Sequence, residues 1–241
     1  MKRRAIGALA LLALTVACGS PVQRAANKLM EQVRLGDPLA RQTYEEDKDL
    51  LLSPEAVPIW TEALQSSDSP QIKEWAAQLL GDIGDESSLP VLAAALSEPR
   101  NVREAAVAAI KQFDDDQACD AFVLALESGD LDAQAVALPQ ISRLKASRAV
   151  PAVAIVGRSS DELVSRTAID TLGDIGDSTA AEALVAMVTD DALQAESRAQ
   201  ALLNLKRIEG AEDQLQAVLA ALEESEDETA ASLLEQATAQ R

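Results

Sequence analysis

A segment that returns at a fixed interval constrains this chain more than any single residue does. The stretch from Ile72 ends in Leu80-Gly81-Asp82-Ile83-Gly84-Asp85, and the stretch from Val164 ends in Leu172-Gly173-Asp174-Ile175-Gly176-Asp177. Weaker copies run from Val102 to Phe113, from Ala133 to Leu144 and from Ser197 to Ile208. Their anchors Leu80, Ile110, Ile141, Leu172 and Leu205 follow one another at 30, 31, 31 and 33 residues. A unit of that length cannot bury its own apolar face, so the copies must stack on one another.

Within a copy the apolar residues fall at i, i+4, i+8 and i+11, as in Ile72, Ala76, Leu80 and Ile83, which is one face of a helix. A shorter helical stripe precedes each: Val57, Trp60 and Leu64; Leu89, Leu92 and Leu96; Phe122 and Leu126; Val150, Val153 and Val156; Leu184, Met187 and Val188. Each unit therefore reads as a helix pair, with turns such as Asp68-Ser69-Pro70 and Ser128-Gly129-Asp130 inside the pairs. No alternating β-branched run argues for a sheet. Pro139 falls inside the second helix of the third copy, where its missing donor and ring clash predict a kink. With two tryptophans, one tyrosine and two phenylalanines, the core must rest on many small contacts. Trp60 and Trp75 either pack between helices or act as recognition hot spots. Helices 214–223 and 226–239 read as a divergent, acidic closing pair, with Ser225 and Glu228 at capping-box spacing. Upstream, Arg41 to Leu52 reads as a leading helix, and Pro21 to Asp37 as a short helix plus tether.

These motifs resemble HEAT repeats, in particular the short bacterial class named after phycobilisome lyases, over about residues 54–212. The resemblance implies an all-α, right-handed α-solenoid of about five to six helix pairs across residues 39–241, with 213–241 as a capping pair, that binds another protein. It also implies that second helices line a concave surface. Lys73, Arg103, Arg166 and Arg198 recur near the starts of those helices, while Ser165 stands where the class has a basic residue. The basic row either docks an acidic partner segment or bridges to turn carboxylates such as Asp68, Asp130 and Asp161.

The chain opens as an export signal. Met1-Lys2-Arg3-Arg4 is basic, and Ala5 to Val16 is an apolar run whose helix would span about 18 Å, short of a bilayer core of about 30 Å. It ends in Leu14-Thr15-Val16-Ala17-Cys18-Gly19, which resembles the lipobox of bacterial lipoproteins; the resemblance implies cleavage of residues 1–17 and acylation of Cys18. Residues 18–38 would then be the lipidated N-terminus and tether. Gly19, where an aspartate would signal inner-membrane retention, makes the outer membrane the expected address, with the solenoid in the periplasm. Loss of Lys2, Arg3 and Arg4 deepens the net charge from −19 to −22, which disfavours nucleic acid.

Histidine is absent, which excludes Ser-His-Asp and Cys-His catalysis and the iron-binding His-Glu pairs of the HEAT-like deoxyhypusine hydroxylases. No Gly-rich phosphate loop or calcium loop is present; Asp114-Asp115-Asp116 reads as helix capping rather than a metal site. Cys119, among small residues, reads as a packed thiol. The expected function is a lipid-anchored envelope scaffold that binds a partner protein, with no catalytic residue, metal or cofactor. The phycobilisome-lyase resemblance suggests the alternative of a chromophore lyase or chaperone.

Overall fold

A computed structural model describes residues 19–224 and 231–235, and among these every regular element is helical. The chain divides after Asp114 into two units. The first begins with α1 (Pro21–Leu35). Ser20 Oγ accepts from Gln23 N, Pro21 fills the first turn, and left-handed Gly36 closes the helix. Val22, Ala25, Ala26 and Leu29 are buried, and α1 packs on α2 (Ala40–Glu46), α3 (Lys48–Leu51) and α5 (Pro70–Ile83). The expected short helix at 21–37 is present, and over Pro21–Leu35 it is packed rather than a tether. An apolar face of small residues docks α1 into the fold, and the expected leading helix at 41–52 is two short ones.

Two helix pairs complete this unit: α4 (Val57–Ser66) with α5, then α6 (Leu89–Ala94) with α7 (Arg100–Ile110). The second helices α5 and α7 lie side by side, with α4 and α6 in the other layer. In the second unit the pairs are α8 (Asp115–Glu127) with α9 (Leu131–Leu144), α10 (Val150–Val156) with α11 (Glu162–Ile175), and α12 (Ser178–Val188) with α13 (Ala195–Arg207). Here α9, α11 and α13 stack in one layer and α8, α10 and α12 in the other, the two-layer arrangement of an α-solenoid. Then α14 (Glu212–Glu223) packs on α12 and α13. Residues 231–235 are helical; most of the predicted helix 226–239, with Ser225 and Glu228, lies outside the described residues. Pro139 is exposed, and α9 runs through it as one helix.

All five anchors are fully or almost fully buried. The Gly-Asp-Ile-Gly-Asp endings divide the work of joining pairs. Gly81 lets α5 approach α7: a Cβ there would sit 2.7 Å from Ala109 Cα. Gly173 meets Asn204, the residue one before its own anchor as Ala109 is one before Ile110. Asp82 and Asp174 accept from Gln112 (3.4 Å) and Ser142 (2.7 Å) of neighbouring pairs. Gly84 and Gly176 end α5 and α11 in the left-handed region, and Asp85 and Asp177 cap the next helical segments by accepting from Ser87 N and Ala180 N. In the degenerate middle copy Lys145 takes the left-handed position with φ 49°. We expect Gly81→Ala to lower stability by about 1–3 kcal/mol. The overpacking against backbone exceeds the roughly 1 kcal/mol gain in helix propensity, and urea unfolding reads the difference.

Candidate functional site

The four basic residues do different jobs. Seven residues before the anchors stand Lys73, Arg103, Gln134, Ser165 and Arg198, so Arg166 is one residue out of register. Arg166 is exposed, 3.9 Å from Glu162 on its own helix. In the second unit the in-register residue reaches back to a carbonyl at the end of its partner helix. Gln134 Nε2 donates to Leu126 O (2.9 Å), Ser165 Oγ to Gly157 O (2.7 Å) and Arg198 Nε to Val188 O (2.8 Å). The last carbonyls of a helix lack partners of their own, and a donor of any charge serves. Arg198 is only 3% exposed.

In the first unit Lys73 Nζ lies 2.6 Å from Glu98 Oε1, which precedes the next second helix, and Arg103 Nε donates to Glu98 O at 3.3 Å. Arg198 likewise has a turn carboxylate beside it, Asp191 Oδ1 3.4 Å from its Nη1, whereas two other turn carboxylates are used otherwise. Asp130 and Asp161 cap α9 and α11, accepting from Ala133 N and Val164 N. Of the two roles the basic row could play, Lys73 and Arg198 bridge to turn carboxylates, and most side chains at this position also form internal clasps. The cause is that four of the five side chains at this position have their donors directed at carbonyls at or just past the end of a helix beside them.

The remaining candidate residues also take defined places. Asp116 and Asp120 grip Arg148 at 2.6 and 3.1 Å, and that bond to Asp116 holds the guanidinium firmly protonated. Cys119 is fully buried, and burial pushes its thiol up, away from the nucleophilic form. Trp60 is fully buried and its Nε1 donates to Leu51 O at 2.9 Å. Cys18 lies outside the described residues.

Two surface concavities emerge only from the packing, although the sequence marks Trp75 as a candidate hot spot. In the first unit Trp75 is half-buried and meets Tyr44 edge-on, with centroids 5.7 Å apart, and Lys48 Nζ sits 5.5 Å from the Tyr44 centroid. Arg41, Glu45, Gln78 and Asp82 complete a slot of about 250 Å³ around that pair. In the second unit an apolar groove of about 650 Å³ runs over Leu126, Ala152 and Val156, walled by Leu131 and Ile155. Ile155 lies off the Val150, Val153, Val156 stripe, and that displacement was the signal available in the sequence. Surface apolar residues gathered around a concavity mark binding sites.

Comparison with known proteins agrees with the repeat arithmetic. The HEAT-repeat family profile matches residues 57–138 and 119–206, well over half of the chain. The chain belongs to the HEAT-repeat family. No curated protein matches this HEAT-repeat chain significantly. Among solved structures, human deoxyhypusine hydroxylase in complex with glycerol is similar at 18% identity and TM-score 0.42, over 98% of this chain and 90% of that one. An engineered protein is similar at 21% identity and TM-score 0.36, over 75% of this chain and 94% of that one. HEAT repeats form helical scaffolds for protein interaction, and this chain has that architecture.

Proposed function

We propose that this HEAT-repeat protein is a lipid-anchored scaffold of the cell envelope, held to the outer membrane by acylated Cys18 and binding another envelope protein through its helix-pair surface. The observation that carries the binding half is that the clasp side chains are spent on internal carbonyls, whereas the Tyr44–Trp75 slot and the Ile155 groove remain open to a partner. Function then lies in recognition, without cofactor or catalytic residue. The anchoring half is supported by the basic start, the short apolar run and Ala17-Cys18. Two or three acyl chains suffice for stable attachment where one is marginal.

Metabolic labelling with a palmitate analogue is expected to mark the wild-type chain in the membrane fraction and to leave Cys18→Ser unlabelled. Equal labelling of both, or none of either, would overturn the anchor. For the partner, photo-crosslinkers at Trp75, Gln78 and Ile155 in native membranes are expected to trap one recurrent envelope protein. Failure at all three positions would overturn the scaffold reading.

A further inference from the structure

The apolar groove of the second unit has a chemistry that narrows its occupant. Ile155 is 74% exposed and Leu131 48%, and Leu163, also 74% exposed, stands three residues beyond Ser160 at the groove's end. The floor beneath them, Leu126 and Val156, is buried, and Leu126 O already accepts from Gln134. The floor therefore asks for apolar atoms and offers little to a polar ligand.

Around this floor the charge is one-sided. Glu127 lines the groove, and Asp130, Asp132, Asp161 and Glu162 flank it in sequence. Arg158, the cation among the lining residues, is drawn away: its Nε lies 3.2 Å from Asp190 Oδ2 and its Nη1 donates to Ala154 O at 2.9 Å. Arg166 lies beside Glu162. Carboxylates outnumber cations, and the nearest cation has its own counter-ion.

We infer that this groove docks a basic amphipathic segment of a partner protein, whose aliphatic side chains cover Leu131 and Ile155 while flanking lysines or arginines face Glu127 and the carboxylates beside it. This rests on the scaffold reading above and specifies its ligand. A second copy of the chain fits worse, because a two-fold contact sets the same carboxylates against themselves. An anionic lipid surface is repelled by them as well.

The test uses the full chain and a fluorescein-labelled amphipathic peptide of leucine and lysine, with a counterpart carrying glutamate at every lysine, read by fluorescence anisotropy. The lysine peptide is expected to bind and the glutamate peptide to fail. The double variant Leu131→Ser, Ile155→Ser should weaken binding about tenfold or more, and Glu127→Gln a few-fold with a shallower salt dependence. Leu39→Ser, an exposed leucine of the first unit, should change nothing. Unaltered melting curves show that the variants are folded, since both groove positions face water. Four results would each overturn the inference: undiminished binding by the double variant, equal binding of the glutamate peptide, Ile155-dependent binding to phosphatidylglycerol vesicles in place of the peptide, or an Ile155-dependent dimer. Should crosslinks from Trp75 still trap one envelope protein in any of these cases, the scaffold stands and only this docking mode falls. Only failure of crosslinking at Trp75, Gln78 and Ile155 together brings down the scaffold itself.

Discussion

Arg198→Met is expected to lower the unfolding free energy by about 2–3 kcal/mol, while Arg166→Met changes it by no more than about 0.5 kcal/mol. Both substitutions remove a guanidinium from the start of a second helix, yet the two side chains meet different surroundings. Arg198 lies buried with its Nε on Val188 O, at the end of α12 where that carbonyl lacks a helical partner. A methionine fills most of the volume but leaves a buried acceptor unsatisfied, and hydrogen bonds from charged donors sit at the strong end of the range. The negative end of the α12 dipole also loses the cation facing it. Arg166 is exposed, and its companion Glu162 lies 3.9 Å away on the same helix. Urea unfolding followed by circular dichroism distinguishes the two. Equal losses from both would show that the row acts as a surface charge pattern, against the clasp geometry.

The clasp shows why the fold was readable in the sequence while the role of its polar residues was not. Burial repeats as residue type: Leu80, Ile110, Ile141, Leu172 and Leu205 are all aliphatic because each is buried at the same position of its own helix pair. The clasp position repeats as a task instead. A lysine, two arginines, a glutamine and a serine occupy it, and what unites Gln134, Ser165 and Arg198 is a donor within reach of a helix-ending carbonyl. Charge alone picked out Arg166 for the row, although Ser165 holds the class's basic position. The docking of α1 was hidden for a related reason: Ala25 and Ala26 are fully or nearly buried but carry little apolar signal. The groove was hidden because Leu131 and Ile155 are the residue types of the core, and only their position off the helical stripe sets them apart.

Trp60→Ala is expected to cost about 3–5 kcal/mol, more than any other substitution proposed above. The indole is fully buried in α4, and its Nε1 donates to Leu51 O, the last residue of α3. Truncation therefore opens a ring-sized cavity and strands a carbonyl at once. Trp60→Phe separates the two contributions, because it keeps most of the ring while losing the donor; a cost of about 1–2 kcal/mol is expected. Trp75→Ala should cost less, about 1–3 kcal/mol, since its partly exposed ring gives up an edge-on contact with Tyr44 and only part of the burial that Trp60 loses. Thermal and urea unfolding of the three variants check the order, and acrylamide should quench Trp75 while sparing Trp60. The two tryptophans thus differ in burial, the property that separates a packing role from a surface one. Trp60 joins the leading helices to the first pair, and Trp75, partly exposed beside Tyr44, keeps an edge at the surface.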